Sequence, residues 1–153
     1  MKYWLMKSEP ITFSISHLKK LKRSGWEGVR NYQARNFMRD EMKKDDLVFF
    51  YHSNCDIPAI VGLMRVYKES HPDPTQFEKE SEYYDPLATK ENPRWFMVGL
   101  EFVVEFKEAI SLQQIKNQID LQNLQLVKKG SRLSVHPVPD KEAKIILKMA
   151  GLN

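Results

Sequence analysis

Sulfur, metal and membrane chemistry have little to work with in this sequence. Cys55 is the only cysteine among 153 residues, which rules out an intramolecular disulfide and a cysteine-based zinc site. No stretch approaches the roughly 18 apolar residues of a membrane helix. Met1 to Lys7 is too short and too polar for a secretion signal, and a reducing cytoplasm is the expected compartment. His17, His52, His71 and His136 show no ligand spacing. The phosphate-loop pattern, the paired-histidine zinc helix and the nucleophile elbow are all missing. No catalytic residue, metal or cofactor is therefore assigned. There is no internal repeat and no low-complexity tract.

What is present is an ordinary globular composition, 42% apolar and 29% charged, long enough for one domain. The formal charge of +4 is compatible with a polyanionic partner. Lys2 to Met6 reads as a first strand. Ser14 or Ser16 can cap a helix through Arg23, ended by Gly25, and Asn31 can cap a second helix to about Met42. Asp46 to Ser53 reads as a strand buried on both faces, with Ala59 to Tyr67 as its partner. Ser70 to Pro93, with four prolines and many charges, reads as a long surface excursion. From Trp95 to Phe106 the alternation predicts a strand with Leu100, Phe102, Val104 and Phe106 on one face. Ser111 can cap a third helix, Ser131 to Val138 is a short strand, and Asp140 starts a final helix closed by Gly151. This order favours an α+β fold with a small mixed or antiparallel sheet, flat or curled toward a barrel.

Three segments concentrate chemistry. Trp26 to Asn36 joins a loop to a helix start: Trp26 and Tyr32 offer flat faces, Asn31 an amide, and Arg30 and Arg35 charge-assisted contacts to phosphate. Asn31 could equally serve only as a cap and Trp26 only as core. In Phe49 to Asn54 an apolar strand runs into His52 and Ser53, which either line a pocket mouth or simply begin a turn. In Ser131 to Val138, alternation puts Arg132, Ser134 and His136 on one face. Lys7 and Ser8 end the first strand. Basic runs at Lys19, Lys20, Lys22 and Arg23, at Lys128 and Lys129, and at Lys141, Lys144 and Lys148 would attract phosphate if they converge.

The stretches Lys2 to Pro10, Trp26 to Asn36, Phe50 to Asn54, Tyr83 to Pro86, Pro93 to Trp95 and Ser131 to Val135 resemble, in order, the successive signatures of the EVE domain. The resemblance spans essentially the whole chain as one domain, 1–153. It implies a PUA-like fold, with a bent mixed sheet or pseudo-barrel flanked by short helices. It also implies a non-catalytic module of the bacterial stand-alone type, binding a modified base in DNA or RNA, a modified cytosine or adenine. Trp26, Asn31, Tyr32, His52, Ser53 and Ser134 would then lie in or near a pocket. The chain departs from the family pattern at His136, where glutamine is usual, and at Gly99, where aspartate is usual. His136 would alter base preference or make binding sensitive to pH near 6.5. A monomer is expected. Two other readings remain at this point: an enzyme acting on a modified nucleotide, and an adaptor using the Ser70–Pro93 excursion. Neighbouring strand residues face opposite ways, so His52 and Ser53 make a poor base–nucleophile pair.

Overall fold

The structure, a computed structural model, describes residues 1–152. Its centre is strand β3 (Leu47–His52), whose Val48 and Phe50 are buried on one side and Phe49 and Tyr51 on the other. A strand apolar on both faces needs a layer on each side of the sheet. The chain supplies both. Helices α1 (Ile15–Leu21) and α2 (Tyr32–Asn36) cover one core, built on Trp4, Met6, Trp26 and Phe50. Helices α3 (Leu112–Asn117) and α4 (Asp140–Met149) cover the other, built on Leu5, Phe49, Ile115 and Ile146.

The remaining strands are β1 (Tyr3–Ser8), β2 (Arg23–Gly25), β4 (Ala59–Pro72), β5 (Phe96–Ser111) and β6 (Val135–Val138). Together they form one mixed sheet in the order β2-β5-β4-β3-β1-β6. Among the described residues only β1 and β3 run parallel, from Tyr3 beside Leu47 to Ser8 beside His52. The sheet is open, with β2 and β6 as its edges. Among the described residues no helix is long and apolar enough to cross a membrane.

Local signals account for much of this. Ser14 is the α1 cap: its hydroxyl accepts the His17 N–H at 3.2 Å while His17 Nδ1 accepts the Ser14 N–H at 2.9 Å. Asn31 caps α2 through Ala34 N–H at 2.9 Å, and the chain continues as a π-helical turn, Phe37–Glu41, before stopping at Met42. Ser111 caps α3.

Three expectations give way. The first helix ends at Leu21, and Arg23–Gly25 is instead the edge strand β2, paired with Glu101 to Gly99. Strand β4 runs on to Pro72, into the segment read as surface excursion. The regular alternation of β5 is broken by register shifts against β4, one of them at Leu63/Met64. Leu100 and Phe102 therefore pack on the first core, while Val104 and Phe106 pack on the second. Gly99 sits where a Cβ would come within 2.9 Å of the Tyr67 ring, so its small size is a packing requirement here.

Candidate nucleic-acid site

A cleft of about 690 Å³ opens at the carboxyl ends of the parallel pair β1 and β3. Its walls come from both edges of the sheet: Ser24 and Gly25 of β2, and Ser131, Arg132 and Ser134 on the approach to β6. The open sheet is thus curled enough to bring its edges to one cavity, as the pseudo-barrel expectation requires. Lys7, Ser8, Glu9, Thr12, Phe13 and Ser53 form the floor and one rim.

Trp26 lies against this cleft at 6% exposure. Phe50 and Phe13 meet its ring edge-on, at centroid distances of 5.2 and 5.9 Å, and fix its tilt. The other two indoles are spoken for: Trp4 N–H bonds to Asp46 at 3.0 Å and Trp95 N–H to Asp85 at 2.8 Å. Trp26 N–H has no protein partner among the described residues and is not a sealed orphan. Ser53 and Ser134 are held by their backbones, Ser53 N–H to the Ser8 carbonyl at 3.0 Å and Lys7 N–H to the Ser134 carbonyl at 2.9 Å. Their hydroxyls likewise have no partner among the described residues. Burial lowers the Lys7 ammonium below its ordinary pKa, and it forms no ion pair among the described residues. An aromatic ring, hydroxyls without partners among the described residues and one half-buried cation line a space large enough for a heterocycle.

The opposite wall is a clamp. Arg30 uses all five N–H donors inside the protein: to Asp73 at 3.1 Å, Thr75 at 3.0 Å, the Val29 carbonyl at 3.0 Å and the Tyr83 carbonyl at 2.8 and 3.2 Å. Asp73 is fully buried and also accepts from Gly28 N–H at 2.7 Å and from Thr75. Burial alone would raise its pKa; the bonds from Thr75, Gly28 and Arg30 more than reverse this and hold the carboxyl below its ordinary value. Gln76, also fully buried, bonds the Asp73 and Trp95 carbonyls and accepts from Arg94 and Trp95 N–H. Gly28, with φ of +88°, lies so close to the Tyr83 ring that a Cβ would come within 2.6 Å. The supposed excursion is in this way stapled to the cleft and contributes Tyr83 to its lining. Behind Tyr83 stand Glu27, Glu78, Glu80 and Glu82, a carboxylate wall; burial together with Asp73 and Glu78 raises the Glu27 pKa.

Of the expected site residues, Lys7, Ser8, Trp26, Arg30, Ser53 and Ser134 line the cleft, and five do not. Arg30 is a clamp rather than a free phosphate ligand. Asn31 spends its oxygen on the α2 cap. Tyr32 stacks on Trp95 at 4.8 Å, and Arg35 lies over Tyr32 at 4.6 Å and donates to the Arg94 carbonyl. Both belong to an outer cation–aromatic stack. His52 Nε2 accepts the Ile15 N–H at 3.1 Å, which turns the ring toward α1. His136 is fully buried on β6 beside Leu5. Its Nδ1 donates to the Pro137 carbonyl at 3.2 Å, its Nε2 has no partner, and burial pushes its pKa down to about 4. It therefore neither meets the cleft nor titrates near 6.5. The basic runs of α1 and α4 do not converge either: the two helices pack on opposite cores, and Lys19 and Arg23 pair with Glu105 and Glu101. The sequence reading missed Phe13, Asp73, Thr75 and Gln76. Their significance lies in partners 13 to 45 positions away, for which no local pattern exists.

Comparison with known proteins bears on the fold as a whole. The sequence profile of the EVE domain matches residues 2–149. Mouse thymocyte nuclear protein 1 is 44% identical, over 96% of this chain and 73% of its own length. A protein from Pseudomonas syringae of known crystal structure is 48% identical, covers 97% of this chain and 99% of its own, and superposes with a TM-score of 0.93. The human THYN1 protein, crystallised in complex with 5-methylcytosine-containing DNA, is 41% identical, covers 100% and 99%, and gives 0.92. On this footing the chain belongs to the EVE domain family.

Proposed function

We propose that this chain is a non-catalytic reader of DNA, which takes one modified cytosine out of its stack into the Trp26 cleft. The observation that carries the reading is the Trp26 indole, its N–H without a protein partner among the described residues, at the wall of a cavity reached by both sheet edges. The likeness to the human protein bound to 5-methylcytosine-containing DNA supports the choice of base. Extruding a nucleotide costs a few kcal/mol. Stacking on Trp26 returns roughly 1–3 kcal/mol. Ser53 and Ser134 complete the polar edge, and Lys7 donates to a ring oxygen or phosphate. A methyl group filling an apolar corner contributes about 0.8 kcal/mol, or roughly a four-fold preference. Arg132 on one rim attracts the backbone, while the Glu27–Glu78–Glu82 wall repels it, so the duplex approaches from the Arg132 side.

Recognition without chemistry is supported by the histidines. His52 and His136 both point elsewhere, which leaves the cleft serines without an imidazole base. The test is a titration of matched duplexes differing by one 5-methyl group, with RNA duplexes in parallel. The expected result is several-fold tighter binding to methylated DNA, weakening steeply with salt. Equal affinities would overturn the reading.

A further inference from the structure

A base that leaves a duplex leaves a gap in the stack. Proteins that hold DNA in such a deformed state often insert an apolar side chain between base steps. The rim of the cleft carries a candidate for this role, the turn Glu9-Pro10-Ile11-Thr12-Phe13. Glu9, Thr12 and Phe13 line the cleft, and Ile11 between them is 91% exposed, the most exposed of the large apolar side chains among the described residues.

This turn is firmly built. Thr12 and Phe13 N–H both donate to the Glu9 carbonyl at 2.9 Å. Ser8 Oγ donates to the Phe13 carbonyl at 2.7 Å, and Asn54 donates to the Glu9 carboxylate at 2.8 Å. Pro10 restricts the backbone immediately before Ile11. Phe13 is anchored between Trp26, Phe50 and His17, at 5.9, 6.2 and 5.8 Å. One end of the turn is thus keyed to the ring proposed to stack on the base. An isolated exposed isoleucine is commonplace on a protein surface. Here it is β-branched, stiff at χ1 and carried by a firmly bonded turn whose Glu9, Thr12 and Phe13 line a base-sized cavity. That combination lowers the ordering cost of insertion.

We propose that Ile11 is a wedge that enters the DNA stack at the position vacated by the extruded base. This rests on the reading given above, and the partner is a base-paired duplex, whose neighbouring base faces would enclose the side chain. The wedge has nothing to do when the modified cytosine lies in a single strand, because no duplex has to be kept open.

The test measures wild type, Ile11→Ser, Ile11→Leu and Ile119→Ser against four oligonucleotides: methylated and unmethylated, each as duplex and as single strand. Ile119 is 81% exposed and lies after α3, on the side of the second core, so it controls for loss of an exposed isoleucine. The expected result is that Ile11→Ser binds the methylated duplex about ten-fold more weakly or worse and the methylated single strand as wild type does. Ile11→Leu and Ile119→Ser keep duplex binding. Unchanged duplex binding by Ile11→Ser, with wild type still preferring the methylated base, overturns the wedge and leaves the reader intact. An equal loss on duplex and single strand also overturns it, since Ile11 would then be an ordinary contact. Absence of any methyl preference in wild type removes the reader, and the wedge with it.

Discussion

Trp26 and Trp95 are the same side chain, equally buried at 6% exposure, and they face different fates. Trp95 is saturated. Its N–H is bonded to Asp85, its backbone to Gln76, and its face is covered by Tyr32, with Arg30 and Arg35 within 5.3 and 5.9 Å. Trp26 packs against Phe13 and Phe50 within the first core and its backbone N–H bonds the Val98 carbonyl at 3.0 Å, but its indole N–H is left without a protein partner among the described residues. Aromatic content alone does not separate a structural tryptophan from one proposed to meet a ligand. What separates them is whether the protein itself has already satisfied the polar atom. The Trp95 region is a finished network and the Trp26 region an unfinished one, with Arg30 as the wall between them.

The comparison breaks most visibly if the finished network is opened. Asp73→Ala removes the acceptor for Gly28, Thr75 and Arg30 and leaves a half-buried guanidinium uncompensated. The expected loss of stability is about 3–5 kcal/mol, read by urea unfolding. A loss under about 1 kcal/mol would mean that the clamp does not hold the segment.

His136 sharpens the contrast, because its Nε2 is unpartnered but sealed. With an ordinary pKa of 6.5 when unfolded and about 4 when folded, the unfolded chain binds the extra proton between those values. Stability from this group is complete above pH 6.5 and drains away as pH falls toward 4, by about 3 kcal/mol in all. His136→Gln should flatten that acid limb in urea titrations run across pH and leave oligonucleotide binding at neutral pH unchanged. A shift in binding near pH 6.5 would contradict the burial of this ring.

The smallest expected effect is on the cleft itself. Trp26→Phe keeps an aromatic ring against Phe13 and Phe50, so the fold should lose no more than about 1.5 kcal/mol. The narrower ring and the missing N–H should weaken binding of a methylated duplex by roughly 1–2 kcal/mol, measured by fluorescence anisotropy. The same change at Trp95, which removes one of the donors to Asp85, should destabilise the protein and leave the intrinsic base preference alone.

Legibility in the sequence followed the range of the interactions. Ser14, Asn31 and Ser111 could be read as caps because a cap concerns residues three apart. Strands β1 and β3 could be read from five or six residues of pattern. The edge strand β2 could not: three residues, Arg23 to Gly25, carry no periodicity, and their partner lies some 75 positions on. The bulges of β5 hid which core each of its residues serves. At the site, Trp26, Ser53 and Ser134 stood out as polar or aromatic groups at element ends, and all three line the cleft. His136 was misplaced because alternation was continued from a loop into a strand that begins only at Val135. Asp73 and Gln76 were hidden by prolines that read as surface loop, although both are fully buried.

The most direct measurement of the central claim uses the three indole N–H resonances as built-in reporters. Trp4 and Trp95 are bonded to Asp46 and Asp85, and only Trp26 faces the cleft. Addition of a 5-methylcytosine oligonucleotide should move the Trp26 signal and leave the other two in place. A Trp26 signal that stays fixed while the oligonucleotide binds, or a shift confined to Trp95, would contradict the account.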